Sequence, residues 1–299
     1  MVGQQNCAAT AFRTTRLSWF AAFAGAVLTN TAPARAADAD TEHLFGFTEG
    51  ADIGKVGERE LEAETIVRAG KSAGSYTDVL QNLSAKIVPV ENLRLSAQTS
   101  LAYFDIAGVP DLGDRRQAML QGLSFEARYT VVDRQRAPFG FTLVVEPRWY
   151  RIDDSSGAPA RVFGGLLTMA MDRELIADRL FGAFNVLCDS DATRPAVTNV
   201  WRYQSKTGFA TALAVRLTPA FFAGGEVRYV RAYDGSGLDA LAGQAVFTGP
   251  TMYLKLSNHM ALSGAWNMQI SGRSATSGGP LDLSRFERHQ AKLRLNYNF

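Results

Sequence analysis

The chain has 299 residues, of which 46% are hydrophobic and 20% charged, and 31 basic residues nearly balance 29 acidic ones. The balanced charge lacks the basic footprint that a nucleic-acid-binding surface needs, and two cysteines are too few for a zinc site built from thiolates.

The N-terminal segment has the three parts of a secretory signal. Arg13 and Arg16 precede an apolar run over residues 17–28, and Ala34-Arg35-Ala36 follows as a small-residue cleavage site. Twelve apolar residues are too few for a membrane-spanning helix, which needs about 20. We therefore predict a cleaved signal peptide over residues 1–36.

Removal of this signal changes both the charge and the thiol count. The segment carries three basic residues and no acidic one, so 28 basic residues remain against 29 acidic ones. Cys7 leaves with it, and a single cysteine, Cys188, remains. The sequence thus predicts an exported protein with no internal disulfide and no nucleic-acid partner.

Residues 37–57, here called the lead-in segment, lack a long alternating pattern. They contain the sequence His43-Leu44-Phe45-Gly46-Phe47, whose apolar side chains favour docking against the rest of the protein. We expect either a small plug in the mouth of the following domain or a disordered periplasmic lead-in.

From residue 58 onward the chain reads as short strands separated by turn residues. In 93–103 the odd positions are mostly apolar, beginning with Leu93 and Leu95, whereas Arg94 and Ser96 begin the polar set. Such a period of two is typical of a strand with one apolar and one polar face. About twelve segments fit: Arg59–Ala69, 78–88, 93–103, 122–132, 139–150, 162–171, 180–188, 207–217, 221–231, 242–256, 260–270 and 289–299.

Three places within these strands are ambiguous. Pro147 and Gly249-Pro250 predict bulges or breaks, because proline cannot donate a hydrogen bond to a ladder. Residues 172–182 are compatible with a short amphipathic helix or with a turn followed by a strand.

The connections alternate in length, which predicts short turns at one end of the strands and long loops at the other. The predicted short turns are 89–92, 133–138, 218–220 and 257–259. The predicted long loops are 105–121, 152–161, 189–206, 232–241 and 272–288.

The last ten residues alternate without exception, from Gln290 and Ala291 to Asn298 and Phe299. This segment resembles the closing strand of Gram-negative outer-membrane β-barrels, in which a C-terminal aromatic residue belongs to the assembly signal. The resemblance assigns that signal to Tyr297 and Phe299. It implies an all-β, antiparallel transmembrane barrel of about 12 strands, with 10 to 14 allowed, over residues 58–299.

The same resemblance, to porin-like or transporter-like barrels, implies location in the cell outer membrane. Its implied partners are outer-membrane lipid, the outer-membrane assembly machinery and a small solute, and an oligomer is compatible with it. The lead-in segment is similar to those of alphaproteobacterial barrels, which implies no substrate.

Polar strand positions are expected to face the lumen, because a charged side chain facing lipid at the midplane costs about 2 to 4 kcal/mol. Closure of the barrel then places the first strand beside the last, which predicts salt bridges between Glu60, Glu62 or Glu64 and Lys292 or Arg294. The predicted lumen-lining residues are Glu60, Glu62, Glu64, Arg68, Lys86, Arg94, Glu126, Arg128, Glu146, Arg148, Arg216, Glu226, Arg228, Lys255, Lys292 and Arg294.

This mixed-charge wall favours a narrow channel or transporter for small polar or amphipathic solutes. The alternative is a non-conducting structural or adhesive barrel, and a distant alternative is an outer-membrane hydrolase. The residues considered for hydrolysis are His259 near Ser257, and His289 near Asp282 and Glu287. Neither set has the spacing of a nucleophile and its base, so we expect no catalytic residue, metal or cofactor.

Overall fold

A computed structural model describes residues 40–299, so the predicted signal peptide lies outside the described residues. The fold consists of twelve strands. Their bounds are β1 (Arg59–Ala69), β2 (Ser75–Val90), β3 (Leu93–Ala107), β4 (Arg115–Val132), β5 (Gly140–Ile152), β6 (Pro159–Ile176), β7 (Leu180–Pro195), β8 (Arg202–Thr218), β9 (Phe221–Asp234), β10 (Leu241–Lys255), β11 (Met260–Ser274) and β12 (His289–Asn298).

The strands form one closed antiparallel barrel in which each strand pairs with its neighbours in the chain and β12 pairs with β1. Closure leaves no strand edge exposed. The predicted fold class and strand number are therefore confirmed.

No helix among residues 40–299 is long and apolar enough to cross a membrane.

The two ends of the barrel differ in their connections. The near end, where β1 begins and β12 ends, has the short connections expected from the sequence. The far end was predicted to carry long loops, but most of its connections are short. In the predicted loop 189–206, for example, residues 189–195 extend β7 and residues 202–206 extend β8. Only 196–201 remain as a connection. Beyond the apolar belt both faces of a strand are wet, so the alternation that marks a strand in the sequence disappears although the ladder continues.

The two prolines that were expected to break strands interrupt pairing on one side only. Pro147 pairs with Gly165 of β6, and Pro250 pairs with Gly225 of β9. The pairing of β5 with β4 lapses at Pro147, and that of β10 with β11 lapses at Gly249 and Pro250. The missing N–H group weakens one ladder, while the strand itself continues.

The segment 172–182 is a strand–turn–strand unit. Strand β6 continues to Ile176, a three-residue turn follows, and β7 starts at Leu180. Pairing with the neighbouring strands overrides the helical spacing of the apolar residues, so the helical interpretation is wrong.

A belt of exposed apolar side chains surrounds the barrel. Its members include Leu83, Leu95, Phe125, Leu213 and Leu293, each at least 41% exposed. The polar residues between them point inward and are mostly buried. This segregation is typical of transmembrane barrels, whose outer face contacts lipid chains.

Candidate functional site

The first and last strands face each other across a row of buried ion pairs. Glu64 and Arg294 are cross-strand partners, and the Arg294 Nη2 atom lies 2.8 Å from the Glu64 Oε2 atom. Lys292 Nζ is 3.0 Å from the same oxygen, and Arg294 Nε is 3.4 Å from Glu62 Oε2. The salt bridges expected from barrel closure are present.

The lead-in segment lies inside the lumen and meets this charged row first through Glu42 and His43. Glu42 forms a doubly hydrogen-bonded ion pair with Arg94 and receives Lys86 Nζ at 3.1 Å. His43 is fully buried, with Nε2 3.1 Å from Glu60 Oε1 and Nδ1 3.2 Å from Arg294 Nη1. Lys86, Arg94 and Glu60 of the wall thus have charged partners in the lead-in segment.

Leu44 and Phe45 pack into an apolar patch on the inner wall. The two side chains are 1% and 0% exposed. Polar inward residues were expected here, but several inward positions of β7 to β11 carry small or aromatic side chains. The patch consists of Phe181, Ala183, Ala212, Ala214, Phe222, Tyr253 and Ala261.

Glu226 anchors the next turn of the lead-in segment. Its carboxylate accepts hydrogen bonds from the backbone N–H of Phe47 at 3.0 Å and of Thr48 at 2.8 Å, and from the Thr48 hydroxyl at 2.9 Å. Gly46 brings the backbone close enough for this contact: a Cβ atom there would lie 2.6 Å from Glu226 Oε1 and 3.0 Å from Thr251 Cγ2. Only glycine fits this approach without displacing the wall.

The Phe47 ring lies beneath two cations of the wall. The guanidinium carbon of Arg228 is 3.9 Å from the ring centroid, and Lys292 Nζ is 5.1 Å from it. Cation–π contacts gain strength where water is excluded. Arg228 therefore binds the lead-in segment although it forms no ion pair with it.

Arg128 and Asp172 hold the last docked turn. Arg128 is 1% exposed, donates to Glu49 Oε2 at 2.7 Å and donates to the Gly50 carbonyl at 2.8 Å. Asp172 accepts from the Ala51 N–H at 2.9 Å and from the Thr41 hydroxyl. Burial opposes ionisation of Glu49, but Arg128 and Arg294 outweigh it and hold the pKa of Glu49 below its usual value.

The lead-in segment separates two polar cavities. The near-end cavity, of about 340 Å³, is lined by Asp40, Glu42 and Asp52 of the segment together with wall residues such as Arg94. The far-end cavity, of about 310 Å³, has Phe47 at its floor. The segment thus forms the partition between the two ends of the lumen.

The connection 153–158 folds inward over the far-end cavity. The Arg68 guanidinium binds both Asp78, at 2.5 Å, and Asp154, at 2.8 Å, and the Tyr76 hydroxyl donates to the Ser155 carbonyl at 3.0 Å. Burial opposes ionisation of Asp154, but Arg68 lowers the pKa of that carboxyl well below its usual range. Gly157 has a φ of +63° and faces the Phe104 ring, so a larger residue would be strained there.

The remaining predicted lumen residues take different positions. Arg148 binds Asp191 at 2.6 Å and also pairs with Asp189 in the far-end cavity, and Glu126 lies 3.7 Å from Arg94. Glu146 is half-buried. Arg216 stacks on Phe222 at the near end, and Lys255 is exposed at the near-end rim.

Some wall residues that hold the lead-in segment were not predicted from the sequence. They include Asp172; Asn185, which exchanges two hydrogen bonds with the Glu49 backbone; and Thr142, which donates to the Ala51 carbonyl. Asn267 acts indirectly, because it donates at 2.6 Å to Glu226, which binds the segment. Asp172 fell in the segment that was ambiguous between helix and strand, and the two asparagines carry no charge that would single them out.

One cluster resembles a metal site in its spacing. Ligand atoms of His43, Glu60 and Glu62 lie within 4.8 Å of one another. Lys86 Nζ, however, is 2.9 Å from Glu60 and 2.7 Å from Glu62 and already supplies positive charge to the carboxylates. The arrangement works as an ion-pair network that fixes His43.

The residues considered for hydrolysis have other partners. His259 is exposed, and its Nδ1 atom lies 3.0 Å from the Asn298 carbonyl. The His289 ring stacks on Trp266, whereas the Asp282 carboxylate accepts from Ser284. The Ser257 hydroxyl accepts a hydrogen bond from the backbone N–H of His259 at 3.1 Å rather than from its ring.

A closed twelve-strand barrel with an apolar outer belt and a charged lumen defines the class of transmembrane β-barrels. Within that class, the chain matches the model of the DUF6662 family, a family of unknown function, over residues 37–299. The chain belongs to this family. A comparison with curated proteins gives no match.

Solved outer-membrane barrels share the fold. An outer-membrane channel from Pseudomonas putida F1 is 13% identical, with a TM-score of 0.60 over 83% of this chain and 98% of that chain. The β-domain of the Bordetella autotransporter BrkA is also 13% identical, with a TM-score of 0.52 over 82% of this chain and 100% of that chain. At such identities the likeness extends to the fold alone.

Proposed function

We propose that this protein is an outer-membrane channel for small polar solutes and that its own lead-in segment closes it in the state described. The observation that carries the proposal is the pair of polar cavities that open toward opposite ends of one lumen, with residues 41–51 between them. Twelve strands spaced about 4.8 Å apart give a backbone diameter of about 25 Å. Removal of the partition would join the two cavities into one water-filled path.

The wall supports a polar solute with little charge selectivity. Cations and carboxylates alternate along it, as in the pairs of Arg94 with Glu126 and of Arg148 with Asp191. A wall of mixed sign exerts no strong net field on an ion. We place the near end in the periplasm, because an export signal delivers the N-terminus there.

The second candidate is a non-conducting barrel with a structural or adhesive role. The observation that favours it is the density of contacts around the lead-in segment: backbone N–H groups, two apolar side chains and three charged side chains all have partners in the wall. On this hypothesis the segment is a permanent filling of the lumen.

Conductance across planar bilayers distinguishes the two. Gly46→Val introduces a side chain where the wall leaves no space, and it should displace the lead-in segment without changing any strand. We expect the unaltered mature protein to conduct rarely and the variant to show stable open steps. Val56→Ser is the matched control, because Val56 lies in the same segment but is 56% exposed.

Cleavage by a glutamate-specific protease after Glu49 reports whether the segment has left the lumen. If the Gly46→Val barrel is folded, is cleaved at Glu49 and still passes no current, the lumen is closed without the segment. That result would support the structural or adhesive role instead.

A further inference from the structure

Three arginines form an outward-facing row at the far end of neighbouring strands. Arg161 of β6 and Arg194 of β7 are cross-strand partners. Arg151 of β5 lies beside them, between residues that pair with Val162 and Pro159. Arg151 and Arg161 are exposed, whereas Val162, the next residue after Arg161, is 4% exposed and faces the interior.

An aromatic ledge lies directly beneath this row. The rings of Trp149 and Phe163 stack with centroids 6.2 Å apart, and Phe163 contacts Trp201 at 6.1 Å. The guanidinium of Arg194 lies 5.8 Å from the centroid of Trp201. Aromatic side chains concentrate at the membrane–water interface, so the arginines lie at the level of the lipid headgroups.

The row carries positive charge that the protein does not balance. Like charges directly opposite each other on one face of a sheet are destabilising, and Arg161 faces Arg194 in this way. Among residues 40–299, no carboxylate lies within ion-pair distance of Arg151, Arg161 or Arg194. Among residues 40–299, only the Nε atom of the Arg194 guanidinium has a hydrogen-bond partner, the Asn199 carbonyl at 3.0 Å.

The outward faces of the three strands show the same one-sided composition. Between the arginine row and Met171 of β6 they present apolar or small residues, such as Val145, Leu167 and Val186, and Arg173 is the next outward residue of β6 toward the near end. Carboxylates of the same strands, such as Asp189 and Asp191, point into the lumen, where they pair with Arg148. The charge of the row is therefore directed at the membrane surface alone.

We propose that Arg151, Arg161 and Arg194 bind the phosphate groups of an anionic membrane lipid whose acyl chains lie against the aromatic ledge. Guanidinium groups match phosphate oxygens with paired hydrogen bonds. Neighbouring strands lie about 4.8 Å apart, so two of the side chains reach one phosphate. The continuous apolar surface below the row favours a lipid over a soluble anion.

The test uses the folded mature protein in neutral detergent micelles, with Trp266→Phe as background so that the ledge tryptophans dominate the fluorescence. Phosphatidylglycerol and phosphatidylcholine, both with brominated acyl chains, serve as anionic and neutral quenchers. We expect half-quenching at about tenfold lower mole fraction of the anionic lipid, the effect of one added set of charge-assisted hydrogen bonds. This preference should disappear in the double variant Arg161→Gln/Arg194→Gln.

Arg116→Gln is the matched control, since Arg116 is an arginine of the far end that is 80% exposed and lies 3.8 Å from Asp105. It should keep the preference for the anionic lipid. Equal quenching by the two lipids in the unaltered protein, or an unchanged preference in the double variant, would overturn the proposal.

Thermal stability supplies a second readout that does not depend on quenching. In neutral detergent, Arg161→Gln should raise the temperature at which heat-modifiable gel mobility is lost, because it removes a like-charge pair. Phosphatidylglycerol should raise that temperature in the unaltered protein and much less in the double variant. If inorganic phosphate alone stabilises the protein as much as the lipid does, the site binds free phosphate and the lipid proposal is wrong.

Discussion

The Nη2 atom of Arg294, in the last strand, lies 2.8 Å from the Oε2 atom of Glu64, in the first strand. Two residues that are 230 positions apart in the chain thus form the buried ion pair at which the barrel closes. The same guanidinium contacts His43 of the lead-in segment. Arg294 therefore contributes both to the closure of the barrel and to the docking of the lead-in segment that closes the lumen.

Charge reversal at this position should destabilise the barrel. Arg294→Glu leaves Glu62 and Glu64 buried beside a third carboxylate, and loss of one partner of a buried pair costs about 3 to 5 kcal/mol. We expect the folded form to lose its heat-modifiable gel mobility at a lower temperature, and Glu64→Arg in the same chain to restore part of the loss. Arg136→Glu, at a side chain that is 80% exposed, should have little effect. Unchanged mobility of Arg294→Glu would show that the pair does not hold the barrel closed.

Truncation of Phe45 should release the lead-in segment while the barrel stays folded. Phe45→Ala removes a fully buried ring from the patch around Phe181 and Phe222, a change that costs about 3 to 5 kcal/mol in a packed core. Because the ring contributes to docking rather than to the strand ladder, we expect cleavage after Glu49 by a glutamate-specific protease to accelerate by at least about 100-fold. Heat-modifiable mobility should stay the same. Equal cleavage rates would mean that the patch does not hold the segment.

Acid should weaken the docking of the lead-in segment. The pKa of Glu49 lies below its usual value of 4.5, since Arg128 and Arg294 outweigh the effect of burial. A carboxyl whose pKa is lowered by docking stabilises the docked state above its usual pKa, and this contribution is lost as the pH falls below about 4.5. We expect conductance to stay level from pH 7 to about pH 5 and to rise as the pH falls below about 4.5. In Glu49→Gln, which lacks the charge at every pH, the rise should be smaller; an identical rise would assign the acid response to other groups.

The period of two was enough to locate the barrel wall. Strand β1 has the same bounds, Arg59–Ala69, in the prediction and in the structure, and every predicted strand corresponds to an observed one. Alternation is a local property, since successive side chains of a strand point to opposite faces. The far-end parts of β4, β7 and β8 were missed because no apolar environment imposes that pattern on them.

The contents of the lumen could not be derived in the same way. The inward row of charges was readable from the sequence, and so was the meeting of Glu62 and Glu64 with Lys292 and Arg294, because closure joins the first strand to the last. The docking of Leu44 and Phe45 was only one of two alternatives. The patch that receives them combines residues of five strands, and no single stretch of sequence marks it.

The sequence by itself determined a barrel with an apolar outside and a charged inside, because the free energy of burying apolar and charged groups acts residue by residue along each strand. Only the tertiary structure decided that cations of the wall pair with Glu42 and Glu49 of the lead-in segment, and that Arg151, Arg161 and Arg194 come together on the outer rim. Both outcomes depend on the register between strands and on a backbone that passes close to the wall at Gly46. Both features bring together residues that are far apart in the sequence, and only the packed structure specifies such contacts.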